Sequence, residues 1–251
     1  MADEHPEYDG GGAYVAMGDS ISSDDYAGGP GRGGASLLAR NRDDDFPSWQ
    51  GHDLGPKPFH LLATDGATSH TLLEQQLPRL ERSGVRSSIV TLTIGGNDVL
   101  GWYGNTAGAI RAADAAVSRA DRALERVRRL TDARLRMVVG TVYDPSDGTG
   151  DAASVGLQPW PAVVEVIAHL NTALRGLAER HGAAVADIHA KFLGHGLAAG
   201  DPAQTDPRPA DRNLWYCNVI EPNAWGAGAV RGAFWEALGY DAPDRTAGGR
   251  T

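Results

Sequence analysis

Hydrophobic positions along the chain fall into two patterns that take turns. Nearly continuous apolar runs occupy 13–17 (AYVAM), 59–63 (FHLLA), 88–94 (SIVTLTI), 136–142 (RMVVGTV) and 183–188 (AAVADI). Short runs of this kind, rich in Val and Ile, predict strands buried on both faces, as in a parallel sheet. Between them lie stripes spaced by three and four: Leu72, Leu73, Gln76, Leu77 and Leu80; Ile110, Ala113, Val117, Ala120, Leu124 and Val127; Val163, Ile167, Leu170, Leu174 and Leu177. That spacing puts each set on one face of a helix. His181-Gly182 reads as the stop of the third helix, and a final helix is predicted over about 224–238. Strands alternating with helices imply an α/β fold, a doubly wound parallel sheet with helices on both faces.

The segments between these elements are uneven. Residues 1–12 are polar and glycine-rich, a lead-in, and 241–251 form a tail, which leaves one domain over 13–240. The 24–58 stretch is a loop-dominated excursion with one apolar patch at Leu37-Leu38, and 193–212 is a second irregular stretch.

Composition narrows the function classes. A chain of 251 residues with 41% hydrophobic positions buries enough surface to fold without disulfides or a structural metal. Its single cysteine, Cys217, has no partner and agrees with a reducing compartment. A formal net charge of -9 argues against nucleic acid or an anionic membrane as partner. The acidic N-terminus lacks the basic start and apolar core of a secretory signal, and no run approaches the length of a membrane span. A cytoplasmic location is expected, and nothing in the composition sets the oligomeric state.

The strand exits carry the chemistry. Gly18-Asp19-Ser20 follows the first strand and presents a hydroxyl at the rim. Gly66 follows the second, where a missing side chain lets a substrate approach a main-chain N–H. Asn97, in Gly95-Gly96-Asn97-Asp98, follows the third and offers an amide donor. In doubly wound sheets these exits collect at one edge. One hydroxyl nucleophile and three donors, counting the Ser20 N–H, make up an acyl-transfer site with an oxyanion hole.

On these motifs the sequence resembles the SGNH/GDSL hydrolase superfamily, whose blocks are Gly-Asp-Ser, a mid-chain Gly, Gly-x-Asn-Asp and a C-terminal Asp-x-x-His. The match is in order and spans 13 to about 238. The resemblance implies a three-layer α/β/α sandwich with a mostly parallel five-stranded, flavodoxin-like sheet. It implies Ser20 as nucleophile and Ser20 N–H, Gly66 N–H and Asn97 as oxyanion hole. No cofactor or metal is implied.

The last block departs from the pattern. Asn218-Val219-Ile220-Glu221-Pro222-Asn223 stands where the superfamily has Asp-x-x-His-Pro-Asn, so Glu221 replaces the His and Asn218 the Asp. Three readings follow. Glu221 is itself the base, with Asn218 donating a hydrogen bond where an Asp would repel it. Alternatively His189 or His195, both after the last strand, takes over. In the third, the site is not hydrolytic and binds a small molecule, transfers an acyl group or closes a ring. The first predicts an esterase-like serine hydrolase acting on a small acyl ester or thioester.

Other features have plainer explanations. Asp19 and Asp98 are expected to brace their turns. Asp24 and Asp25, close to Ser20, and Trp215 and Tyr216, entering the last block, are possible substrate contacts, with core packing an equal alternative for the two aromatics. The acidic loop 144–151 fails the EF-hand template, because Tyr143 and Pro145 fall at ligand positions.

Overall fold

The computed structural model of the protein describes residues 12–131, 134–199 and 213–243. The lead-in up to residue 11, the 200–212 part of the second irregular stretch and the tail from 244 lie outside them. Five strands, β1 (Ala13–Gly18), β2 (Phe59–Leu61), β3 (Ser87–Thr93), β4 (Arg136–Gly140) and β5 (Ala184–Ala186), form one parallel sheet in the order β2-β1-β3-β4-β5. The chain winds one way from β1 to β2 and the other way from β3 to β5. The β1–β3 boundary is therefore the switch point where ligands of such sheets bind.

Side-chain alternation along the strands divides the core into two layers. Val15 and Met17 of β1 join Val90, Leu92 and Val139 under α3 (Leu77–Ser83), α5 (Thr106–Arg129) and α6 (Val163–Arg180). Tyr14 and Ala16 point the other way, onto α1 (Gly34–Ala39), α7 (Ile188–Phe192) and α8 (Ala224–Ala237). The result is the expected α/β/α sandwich. Each large apolar side chain buried this way is worth roughly 1.5–3 kcal/mol. None of the described helices is long and apolar enough to cross a membrane.

Two departures from the predicted pattern matter. The excursion 24–58 contains α1, all six of whose residues are buried. It packs so closely on α8 that a Cβ at Gly34 would lie 2.5 Å from Val230 Cγ1. The first predicted helix is not uniform: after α2 (Ser69–Thr71), residues Leu72–Gln76 form a π-turn, closed by the Leu77 N–H on the Leu72 carbonyl. Such π-turns occur often beside functional sites.

Near the C-terminus a two-stranded antiparallel hairpin, β6 (Tyr216–Cys217) and β7 (Glu221–Pro222), precedes α8. Asn223 caps that helix, its side chain accepting from the Trp225 and Gly226 N–H groups. The cap fixes the entry to α8 two residues after Glu221.

Candidate active site

Gly18, the last residue of β1, has φ of 123°, and a Cβ there would fall 1.8 Å from the Thr93 carbonyl oxygen. Only glycine lets β1 approach β3 this closely before turning out of the sheet. The Asp19 N–H then donates to that same carbonyl at 3.0 Å, and the Ser22 and Ser23 N–H groups donate back to Asp19 and Ser20. These bonds hold Ser20 in a tight turn at the carboxyl end of the sheet. Gln76 braces the turn from the π-turn, with Nε2 donating to the Gly18 carbonyl at 2.7 Å.

The donors flank this turn because β2 and β3 flank β1. The Ser20 and Gly66 N–H groups donate to no described residue. Gly66 is exposed at φ of 67°, with open space where a Cβ would be. Asn97 donates one amide hydrogen to the Ala67 carbonyl at 3.0 Å, which brings it beside Gly66 and leaves its second hydrogen for another acceptor. Asp98 braces this corner, accepting from the Ser69 N–H at 2.9 Å and the Ser69 hydroxyl at 2.6 Å. Asp19 braces its own turn by accepting from the Ile21 N–H.

Glu221 enters from the hairpin, paired across strands with Cys217. It is only 8% exposed, and its Oε2 is buried without a partner. Burial pushes its carboxyl above the ordinary value, the Asp65 and Asp25 charges add to this, and the nearby Ser20 side chain opposes it. Serine and glutamate are thus neighbours. Asp19, 1% exposed, is pushed up to about 7 by burial, with the Glu221 charge contributing. The hairpin loop that delivers Glu221 is strained: Asn218 and Val219 have φ of 47° and 75°, and the Ile220 N–H donates to the Asn218 carbonyl at 2.9 Å. A γ-turn with a central φ near +75° is rare, and rarer on a β-branched residue. Tyr143 pins it, its hydroxyl donating to the Ile220 carbonyl at 2.6 Å.

The other expected residues are placed differently. Asn218 is exposed, lies near Tyr26 and makes no hydrogen bond to Glu221, because the left-handed turn carries it to the rim. The Asp24 carboxylate is committed to the glycine-rich loop, accepting from the Gly31 and Gly33 N–H groups at 2.8 Å each. Asp25 stays exposed near Glu221. Trp215 and Tyr216 belong to the core rather than to a pocket. Trp215 stacks on His195 with ring centroids 3.5 Å apart, and Tyr216 packs edge-on against Tyr143 and Phe192. His195 is fixed by that stacking and by the Asn213 carbonyl, while His189 Nδ1 sits 3.2 Å from the Val142 carbonyl oxygen. Neither histidine hydrogen-bonds Ser20 or Glu221. The loop at 144–151 is also internally satisfied, Asp144 accepting from Ser146 and the Gly148 N–H. Among the described residues no group of three or more His, Cys, Asp or Glu is arranged to hold a metal ion.

Sequence reasoning did not single out the cavity that opens beside Ser20. It holds about 120 Å³ and is bounded by Ser20 and Asn97 on one side and by apolar side chains of α4 (Gly96–Leu100), α6 and the loop 150–160 on the others. Tyr103 and Trp160, edge to face with centroids 5.1 Å apart, form part of its wall.

A doubly wound sheet with this constellation at its switch point defines the class as α/β/α ester hydrolases. The chain matches the GDSL-like lipase/acylhydrolase family over residues 16–228 and belongs to it. Its fold is similar to that of an acetylxylan esterase from Geobacillus stearothermophilus, at 13% identity and a TM-score of 0.63, covering 94% of this chain and 97% of that one. It is also similar to a phospholipase A1 from Streptomyces albidoflavus, at 26% identity and a TM-score of 0.56, covering 91% and 98%. A third similar structure is LAE5, an α/β hydrolase from the metagenome of Lake Arreo, at 22% identity and a TM-score of 0.54, covering 91% and 95%. No curated protein sequence matches the chain.

Proposed function

We propose that the protein is a serine esterase in which Ser20 and Glu221 form a two-residue nucleophile and base. The observation that carries this reading is a buried carboxylate beside the Ser20 side chain, with its Oε2 buried and without a hydrogen-bond partner. Glu221 takes the Ser20 proton as the Oγ bonds to the acyl carbon of a small ester or thioester. The carbonyl electrons move onto oxygen, where the Ser20 and Gly66 N–H groups and the free Asn97 hydrogen receive them. Collapse expels the alcohol or thiol with the proton from Glu221, leaving an acyl-Ser20 ester. The same carboxylate then takes a proton from water as the water oxygen bonds to the acyl carbon; collapse breaks the bond to Ser20 Oγ, Glu221 returns the proton to that oxygen, and the acid leaves.

Burial supports Glu221 as a base. It raises the carboxylate's basicity toward the working pH, where a solvated glutamate would be too weak to deprotonate a hydroxyl efficiently. Asn218 lies beside Tyr26 at the rim and does not hydrogen-bond Glu221, so the base acts without a second carboxylate or amide behind it.

The test is labelling with a serine-directed fluorophosphonate and turnover of short acyl esters, compared across wild type, Ser20→Ala, Glu221→Gln and His189→Ala. Labelling lost in Ser20→Ala and turnover lost in Glu221→Gln, with His189→Ala active, is the expected result. A wild type that neither labels nor turns over any ester would leave a non-hydrolytic binding or transfer role instead.

A further inference from the structure

We infer that the cavity beside Ser20 is an acyl pocket that selects chains of medium length, on the order of eight carbons, over acetyl. The inference rests on the serine esterase reading and adds which part of the ester goes where.

The two sides of Ser20 differ in chemistry. On the β2 side Thr64, Asp65 and Gly66 are all exposed, and Asp65 accepts from the Tyr26 hydroxyl at 2.8 Å. That side is polar and open. On the β3–β4 side the cavity walls are Val99, Leu157, Trp160, Val163, Ile167 and Leu170. The polar groups that also border it are already used: Asp144 by Ser146 and Gly148, the Ser146 hydroxyl by the Gly150 N–H, and the Trp160 Nε1–H by Thr106 at 3.1 Å. Tyr103 donates to the Gln158 carbonyl, so away from the nucleophile turn with Asp19 and from Asn97 the polar side chains on this side already have partners, and an alkyl chain is the matching occupant.

Which half of the ester lies there follows from the order of events. The alcohol must depart and water must arrive while the acyl group stays bonded to Ser20. The retained half belongs in the walled apolar side and the departing half on the open polar side. Size sets the length. A water-sized group needs roughly 10–15 Å³ of such space, so the cavity of about 120 Å³ takes on the order of eight of them, where an acetyl group fills one.

The experiment is a ladder of straight-chain p-nitrophenyl esters from acetate to dodecanoate, together with the isomers ethyl octanoate and octyl acetate. The specificity kcat/KM is expected to rise about fourfold per methylene, the factor for burying one CH₂, to a maximum near octanoate. Ethyl octanoate should be preferred over octyl acetate at least tenfold. Leu157→Phe and Val163→Phe, which fill the cavity from a loop and from a helix, should each lower the octanoate to acetate ratio at least tenfold.

A flat ladder with active enzyme, or preference for octyl acetate, would overturn the acyl assignment while leaving the esterase reading intact. A ratio unmoved in both filled variants, each folded by circular dichroism, would overturn the cavity as the selector. Absence of both labelling and turnover in wild type would remove the esterase reading and this inference with it.

Discussion

Gln76 holds Gly18 by both of its main-chain groups: its Oε1 accepts from the Gly18 N–H at 2.8 Å and its Nε2 donates to the Gly18 carbonyl at 2.7 Å. The amide side chain supplies hydrogen bonds that a neighbouring strand would otherwise make, two residues before Ser20. Asn171 repeats the device at the exit of β4, bonding the Val142 N–H at 2.7 Å and carbonyl at 2.8 Å. Both anchored residues sit at the edge of the site, one before the nucleophile turn and one in the cavity wall.

Replacing Gln76 by leucine leaves the Gly18 N–H buried and unpaired and the Gly18 carbonyl with the Thr64 N–H at 3.1 Å as its remaining donor. The expected cost is about 1–3 kcal/mol, read as a lower urea midpoint at unchanged m. Because the freed turn carries Ser20, kcat should fall more than KM rises. Gln76→Glu keeps the acceptor and loses the donor, so it should fall between. Equal stability of Gln76→Leu and wild type would show that the clamp is dispensable.

Val219 is held in a left-handed turn that its branched Cβ disfavours, and it is 37% exposed, so few contacts offset the strain. Val219→Gly should stabilise the fold by about 0.5–2 kcal/mol, the relief of strain exceeding the added freedom of the unfolded chain. Differential scanning calorimetry gives the sign directly. A lower Tm would mean that the valine side chain contributes packing that outweighs its backbone cost.

The parts of this site that the sequence made legible are those fixed by strand ends. Ser20 and Asn97 each follow a run whose burial on both faces declares it a strand, and Gly66 follows the half-buried edge strand β2, so their convergence at one edge follows from topology. Glu221 was legible through its Pro-Asn flank, where Asn223 caps α8. Partners set by tertiary geometry were not legible. Gln76 falls on an apolar stripe and reads as one more helical position, and nothing local indicates that a π-turn aims it at β1. The γ-turn at Val219 runs against the residue's own preference, so Asn218 could not be foreseen to face Tyr26. Trp215 and Tyr216 had the composition of pocket residues and serve as core, because the hairpin turns their rings toward Phe192. Helix α1 is too short to show a period.

Asp19 gives the fold an unusual pH response. Its pKa in the folded protein, about 7, lies above its ordinary 3.8, so the fold favours the protonated form. Between those values the folded state binds more protons than the unfolded one, and stability falls as pH rises. The stability is fully present below about pH 4 and lost by about pH 7, amounting to at most about 4 kcal/mol. Asp19→Asn, which still accepts from the Ile21 N–H, should match wild type at pH 4 and exceed it at pH 8. Urea midpoints at both pH values decide this, and a constant difference between the two proteins would remove Asp19 as the source.

The pH dependence of turnover tests the base itself. A base must be deprotonated, so kcat/KM should rise with pH through a limb lying above 4.5, because burial and the Asp65 and Asp25 charges raise Glu221. Asp65 is exposed, so its contribution is open to screening. Asp65→Asn should move the limb to lower pH, and added salt should move it in the same direction. Glu221→Gln should remove the limb and lower kcat/KM by about 10²–10⁴. Glu221→His, restoring the residue type that the superfamily resemblance leads one to expect, should place the limb near the ordinary imidazole value of about 6.5. A wild-type limb already at that value, insensitive to Asp65→Asn and abolished by His189→Ala, would transfer the proton to His189 and leave Glu221 a buried structural carboxylate.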